Sequence, residues 1–314
     1  MQTDDDFRTP RIAVCILTRE REAGLTRTLE GIAKQRVPSR DFSQIRVIVV
    51  DNDPSRSGQP VCDRLRPTYP WSLEYAVEPI VGIPYARNRA LEIAKAADDL
   101  IAFLDDDEVP SETWLAELLR VWREYSAEVV FGPVRPYFPE PVPRWIERGA
   151  FFEREAHPTG TVRSIGATNN VLMSTQMLRQ SGMRFNERNR FSGGSDSAFS
   201  KGVHQAGYRM IWADEAFVTE WIPRSRASLK WLAMRRVRNG ATEFSGPKIS
   251  IWRRLHGVAL GLARVVFGAG CAIVFLPFGR HRSVKAVLWG SYGLGLLYGV
   301  TGNQLQEYRT VRSV

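Results

Sequence analysis

Uninterrupted apolar runs recur through the first 220 residues and alternate with stretches of helical spacing. Arg11-Ile-Ala-Val-Cys-Ile-Leu17 is the first run, and its lack of polar alternation predicts a strand buried on both faces. Between Thr18 and Gln35, Leu25, Leu29 and Ile32 fall at spacings of four and three, which predicts an amphipathic helix. A second strand, Ile45-Arg-Val-Ile-Val-Val50, runs into Asp51-Asn52-Asp53, and strand, helix, strand makes a right-handed βαβ unit. The alternation continues with a strand at Leu73 to Val77, a helix at Ala86 to Ala97 and a strand at Leu100 to Leu104. Ser111 is the expected N-cap of a helix that buries Trp114, Leu115, Leu118 and Leu119. Further strands are expected at Val129 to Phe131, Asn169 to Met173 and Arg209 to Ala213, while the five prolines of residues 133–143 predict a surface loop. The pattern is that of an α/β domain over residues 11–230, with a mostly parallel sheet flanked by helices. A polar tail, 1–10, precedes it and a different kind of segment, 231–314, follows.

That last segment has two uncharged apolar stretches, Val265 to Phe278 and Ala286 to Val300, of 14 and 15 residues. As helices they reach about 21–23 Å, short of a ~30 Å hydrocarbon core. Their flanks are basic: Arg253 and Arg254 before, Arg280, Arg282 and Lys285 between, Arg309 and Arg312 after. Charge accounting sharpens this. The chain has 43 Lys+Arg against 34 Asp+Glu, a net of +9, but residues 224–314 alone hold 15 basic and 2 acidic residues. The first 223 residues are therefore mildly acidic, and the high pI of about 9.7 belongs to the tail. Two helices lying in the cytoplasmic interface, cations towards the headgroups, satisfy all three flanks. A spanning hairpin would carry the turn 279–285 to the outside, against the positive-inside rule. A hairpin buried on the α/β domain or on a partner is the third reading. The start, MQTDDDFRTP, has neither a basic n-region nor an apolar h-region, and the three cysteines have no framework spacing; both point to the cytoplasmic face of the membrane.

Polar chemistry collects after the strands: Thr18-Arg19-Glu20, then Asp51 and Asp53, then Asp105-Asp106-Asp107-Glu108. Ligands of open α/β sheets bind at the carboxyl ends of strands. Consecutive acids there are costly unless a cation balances them, and a divalent ion shared with substrate phosphates is one solution. Capping of the following helix is the plainer one. No GxxxxGK[ST], GxGxxG or GxSxG occurs, and the four histidines share no metal-ligand spacing. Diphosphate recognition would then fall to a metal and to arginines such as Arg87 and Arg89, after Gly82-Ile-Pro-Tyr.

Ala-Val-Cys-Ile-Leu-Thr-Arg (13–19), Val-Val-Asp-Asn-Asp (49–53), Ala-Arg-Asn-Arg-Ala (86–90) and Phe-Leu-Asp-Asp-Asp-Glu (103–108), in this order and spacing, resemble family 2 glycosyltransferases of the GT-A fold. The resemblance implies a nucleotide-sugar donor, a UDP-sugar foremost, contacted by Thr18, Glu20, Asp51, Asp53, Arg87, Asp105 and Asp106. It implies Asp105 and Asp107 as the DxD pair, with Asp107 the direct ligand of Mg²⁺ or Mn²⁺. Phe191-Ser-Gly-Gly-Ser-Asp-Ser-Ala-Phe199 is similar to the family's acceptor-side acidic segment and puts Asp196 at the general-base position. Ser195 and Ala198 stand where that segment commonly has acids. Val-Thr-Glu-Trp-Ile-Pro (218–223) adds Glu220. Trp231-Leu-Ala-Met-Arg-Arg-Val-Arg-Asn-Gly240 resembles the R-x-x-R-x-G stretch of the subgroup that builds bacterial exopolysaccharides such as succinoglycan. Arg235 and Arg238 then share a helix face suited to a diphosphate, of the donor or of a lipid-linked acceptor. The expected activity is inverting, metal-dependent sugar transfer to a lipid-linked polysaccharide intermediate. A polyprenyl-phosphate sugar transferase and a non-catalytic basic binder of membrane surfaces are the rival readings. Nucleic acid is not an expected partner, since no aromatic-basic sheet motif or zinc finger is visible.

Overall fold

The computed structural model describes residues 9–190, 194–243 and 250–302. Most of the polar tail, residues 191–193 of the acidic segment, and Arg309 and Arg312 lie outside them. In chain order the elements are β1 (Arg11–Thr18), α1 (Glu22–Ala33), β2 (Gln44–Asp51), α2 (Gln59–Leu65), β3 (Ser72–Val77), α3 (Ile83–Ala97), β4 (Leu100–Asp105), β5 (Glu108–Pro110), α4 (Trp114–Glu124), β6 (Val129–Phe131), β7 (Val134–Tyr137), α5 (Arg144–Gly149), β8 (Asn170–Ser174), α6 (Thr175–Ser181), α7 (Ser195–Gln205), β9 (Met210–Trp212), β10 (Val218–Trp221), α8 (Leu229–Glu243), α9 (Ile251–Val274) and α10 (Arg280–Gly299).

Among the described residues a seven-stranded sheet runs in the order β3-β2-β1-β4-β8-β6-β9. β1 pairs in parallel with β2 and β4, β2 with β3, and β6 with β9; β8 runs antiparallel to both neighbours. The apolar runs become buried strands for the reason their patterns imply. In β1, Ile12, Val14 and Ile16 join Leu25, Leu29 and Ile32 of α1 on one face. Ala13 and Cys15 face the other way, onto Ala90 and Leu91 of α3. Both faces are covered, so the strand is apolar from Ile12 to Leu17, with polar residues only at its two ends.

Two local expectations fail. Ser111 is not the N-cap of α4, which starts at Trp114 with Thr113 at the cap and no side-chain cap bond from it. The early amide of Leu115 instead donates to Gln35 Oε1 at 3.0 Å, while Gln35 Nε2 donates to the Ser111 carbonyl at 2.7 Å. A residue 80 positions upstream satisfies that helix end, which no local pattern reveals. The proline-rich stretch 133–143 is not all loop, because it contains β7. This strand is an edge of a second sheet, β5-β10-β7, where Pro136 is tolerated since an edge position need not donate. The small sheet sets Glu220 of β10 opposite Glu108 of β5.

The tail differs more. α9 begins at Ile251 and runs 24 residues, about 36 Å, so it is longer than the uncharged stretch within it. Among the described residues it is the one helix long and apolar enough to cross a membrane. Arg280 to Lys285, expected as the turn, form the first turns of α10; the chain reverses at Phe275 to Gly279, where Pro277 interrupts the helix and Gly279 sits at φ +113°. α10 lies between α8 and α9. A Cβ on Gly268 would come within 2.8 Å of Gly290 Cα, and one on Gly295 within 2.1 Å of the Val237 carbonyl. The residues α9 buries are Gly257, Gly261 and Gly268, whereas Trp252, Val266, Phe267 and Ile273 are exposed. A helix in water commonly does the reverse, burying its large apolar residues, so α9 leaves an apolar face uncovered. The bundle is joined to the catalytic domain by a third core, in which Val284 and Leu288 meet Ile146, Phe152 and Ile222.

Candidate active site

The polar residues expected at strand ends are there, at one edge of the large sheet. Thr18, Asp51 and Asp105 are the last residues of β1, β2 and β4, and the parallel register sets Thr18 beside Asp51. Asp51 is fully buried and accepts from Tyr75 Oη at 2.7 Å, the Gly58 amide at 2.7 Å and the Asp53 amide at 3.1 Å. Burial raises its pKa above the usual carboxylate range despite these bonds. Burial also pushes Asp53 upward, but bonds from Ser55 and Ser57 outweigh it and hold this carboxyl low. These two acids organise the loop from β2 to α2. Glu20 is exposed and lies at φ +54°, its amide donating to Ser57 Oγ at 3.0 Å.

The acidic run after β4 splits. Asp106 turns inward, accepting from Thr18 Oγ1 and from Arg21 Nη1, each at 2.8 Å. Asp107 accepts from Arg21 at 3.0 Å and from Arg226 at 3.3 Å. Glu108 is buried and accepts from Asn169 Nδ2. α1 approaches this turn so closely that a Cβ on Gly24 would sit 2.5 Å from the Asp106 carbonyl oxygen. Asp105 faces the other way, with Arg87 Nη2 3.9 Å from its carboxylate.

Arg87, almost wholly buried in the first turns of α3, joins Asp105 to Asp196. Asp196 lies in the first turn of α7, after Gly194 in the left-handed region at φ +78°. Its carboxylate pairs with Arg87 and accepts from Ser195 Oγ at 3.1 Å and the Thr168 amide at 3.4 Å. Asp105, Arg87, Asp196 and Arg235 line one cavity of about 580 Å³, together with Trp212 and His157. Residues from α3, β4, α7 and α8, far apart in sequence between Arg87 and Arg235, thus share one wall.

Other expected residues lie apart. Arg89 is exposed and pairs with Glu92 at 3.8 Å, because two steps along α3 point it away from Arg87. Glu220 is held by Arg154 at 2.8 Å and by Arg226 at 3.6 Å, which ties it to Asp107 rather than to the cavity. Arg238 is half-buried and is not in the cavity wall. Sequence reasoning missed Arg21, Arg226 and Arg154. Arg21 was recoverable, since it directly follows the Thr18-Arg19-Glu20 strand end; the others lie 119 and 66 positions from their partners.

The crowding of charge displaces the carboxyl pKa values. Burial pushes Asp105 up to about 7; Arg87 opposes this, and Asp107, Asp196 and Asp106 add to it. Burial likewise raises Asp106 to about 6 against the pull of Arg21. Glu108 is raised well above its ordinary value by burial and then by Asp105 and Asp107. Raised carboxyl values favour the folded state in acid: the penalty for charge is absent near pH 4 and grows as pH rises through about 7. Asp105→Asn should therefore melt above the wild type at pH 7.5, with an advantage that shrinks as pH falls and is largely lost by about pH 4. An advantage independent of pH would contradict this origin.

The profile of Glycosyl transferase family 2 matches residues 13–185. The chain belongs to this family. The glycosyltransferase is 36% identical over 304 residues to the succinoglycan biosynthesis protein ExoM of Rhizobium meliloti (strain 1021), covering 95% of this chain and 94% of that one. Among solved structures, the mannosyltransferase PcManGT of Pyrobaculum calidifontis, in complex with GDP-Man and Mn²⁺, superposes with a TM-score of 0.62 at 19% identity, over 94% of this chain and 87% of that one. S. aureus TarS residues 1–349 with UDP gives a TM-score of 0.53 at 16% identity, over 90% and 89%. These likenesses establish the GT-A fold of the glycosyltransferase, and the match to β1 through α6 covers the strand ends that carry its acids.

Proposed function

We propose that this glycosyltransferase moves a sugar, with inversion, from a nucleotide-diphosphate donor to a lipid-linked polysaccharide intermediate at the cytoplasmic membrane face. The observation that carries the reading is Arg87, a buried cation reaching both Asp105 and Asp196 in one cavity. Asp196 is the general base: it takes the proton of the acceptor hydroxyl as that oxygen attacks the anomeric carbon. Arg87 neutralises diphosphate charge and fixes the base between uses. Thr18 positions Asp106, and Asp51 and Asp53 shape the loop that receives the nucleoside. Arg235 faces the diphosphate or the acceptor from α8.

The donor set is compatible with a divalent ion. Asp105 and Asp107 are hard oxygen ligands two positions apart, and among the described residues no three His, Cys, Asp or Glu groups could hold a metal alone. Mg²⁺ and Mn²⁺ suit sites where one or two carboxylates share the ion with substrate phosphates. PcManGT, with GDP-Man and Mn²⁺, is a related case. A bound ion would stabilise negative charge on the departing diphosphate. Release of Arg21 and Arg226 from Asp107 would accompany its binding. Donor turnover should vanish with EDTA, return with Mn²⁺ or Mg²⁺, and stay lost in Asp107→Ala whatever ion is added. Full activity in EDTA would overturn the metal assignment.

Membrane association rests on α9, whose exposed face is apolar, which carries Arg253 and Arg254 in its first turn and is followed by Arg280, Arg282 and Lys285 at the start of α10. We assign its occupant as an anionic bilayer, with the helices in the interface. The protein should float with phosphatidylglycerol-rich vesicles, less so in high salt, and ignore DNA. Phe267→Glu should reduce flotation at least tenfold, at about 0.8 kcal/mol for each CH₂-sized group withdrawn from lipid. Binding to neutral and anionic vesicles alike, whatever the salt, contradicts the assigned role of the flanking cations.

A further inference from the structure

Beyond Asp196, the cavity has a second end with its own chemistry. Residues 160–163 run antiparallel beside β9: the Trp212 amide donates to the Thr161 carbonyl at 2.9 Å, and the Arg163 amide to the Met210 carbonyl at 2.8 Å. Gly160, at φ +91°, donates to the Trp212 carbonyl at 2.9 Å and begins the pairing. This backbone lattice sets Arg163 against Trp212, with the guanidinium carbon 5.8 Å from the ring centroid. His157 meets the same indole edge-on at 5.2 Å. All three line the cavity that contains Asp196.

The charges at this end are unbalanced. Arg154 pairs with Glu220 at 2.8 Å, and His157 lies 3.7 Å from Glu155, whose side chain is 81% exposed. Arg235 faces the same cavity from α8. Arg163 makes no ion pair among the described residues, and its buried Nε has no hydrogen-bond partner. An arginine that lines a cavity, held in place by backbone pairing and an indole and left without an acid of its own chain, is arranged for an oxyanion supplied from outside.

We infer that Arg163, seated on Trp212, binds an oxyanion of the acceptor and so orients the attacking hydroxyl towards Asp196. The shared chemistry is a planar or tetrahedral oxyanion. It is either a carboxylate carried on the acceptor's sugar or the diphosphate of its lipid carrier. Trp212 acts as a positioning residue: it covers one face of the guanidinium and leaves the fork to the ligand. The inference rests on the reading of this cavity as the site of sugar transfer.

The test uses the full chain with UDP and excess Mg²⁺, which occupy the donor end. Glucuronate, neutral glucose and inorganic pyrophosphate are then titrated by calorimetry. One anion should bind at least tenfold more tightly than glucose. Arg163→Gln should weaken that anion by about 10- to 100-fold, the loss of one charge-assisted contact, while leaving UDP affinity and melting temperature unchanged. Glucuronate as the ligand identifies a sugar carboxylate, and pyrophosphate identifies the carrier. Arg163→Lys, which retains charge without the fork, should fall between, and it serves if the Gln variant does not fold. Equal binding of both anions by wild type and variant overturns the subsite, as does no preference over glucose. If UDP does not bind but the anions do, in an Arg163-dependent way, the donor reading fails and the subsite stands.

Discussion

Asp196→Asn should lower kcat for sugar transfer by about 10²- to 10⁴-fold, the usual worth of a positioned general base, while donor affinity changes little. The substitution keeps the size of the side chain and its place in the first turn of α7. The Ser195 hydroxyl and the Thr168 amide donate to different oxygens of the Asp196 carboxylate, so the asparagine carbonyl keeps one of the two bonds. What it removes is the group that accepts a proton and the anion that faces Arg87. Those two losses separate experimentally. Arg87 retains Asp105 on its other side, so a melting curve reports any cost of the altered pairing, and nucleotide binding reports the donor end. A variant that binds UDP, melts near the wild type and fails to transfer identifies the base. Transfer at the wild-type rate would remove Asp196 from that role and turn attention to Asp105, which lines the same cavity and whose pKa burial raises.

Much of this site was legible before any coordinates, because the signals were local. A buried strand followed by acids needs only neighbouring residues to be recognised, and Thr18, Asp51 and Asp105 stand where that reasoning puts them. Asp196 was singled out through the resemblance alone, as nothing in its segment distinguishes a proposed base from a helix cap. The division of labour within Asp105-Asp106-Asp107-Glu108 was not legible. It depends on which way each side chain leaves the turn, and that is decided by Thr18, Arg21, Asn169 and Arg226, up to 119 positions away. The cap of α4 was hidden for the same reason. The start of α9 at Ile251 was not legible from its uncharged stretch. A helix continues through Arg253, Arg254 and Arg264 as readily as through leucine, and Arg264 finds aromatic cover from Tyr292, at 4.7 Å, and from Trp289.

The largest stability effect should come from the pole of the sheet opposite the site. Arg46, near the start of β2, donates from Nε and Nη2 to Asp98, at 2.6 to 3.0 Å, and from Nη1 to both oxygens of Glu74 at 2.9 Å. It also donates to the Ile93 carbonyl at 3.2 Å. One guanidinium thereby ties β2 to β3 and to the end of α3. The Asp98 side chain is only 2% exposed, so removing its partner strands a charge where water cannot reach it. Arg46→Met should cost about 3–5 kcal/mol, of which the Glu74 share is small because that side chain is 41% exposed. Urea melts would show the midpoint falling with an unchanged slope. The double variant Arg46→Met/Asp98→Leu should recover most of the loss, since two apolar groups need no partner. Equal instability of single and double variants would mean that the bridge, rather than the stranded carboxylate, carries the energy. Below its melting point the single variant should transfer sugar at the wild-type rate: the acids proposed to serve donor and acceptor lie away from Arg46, at the other ends of the strands or on α7, and α3 delivers Arg87 from its other terminus.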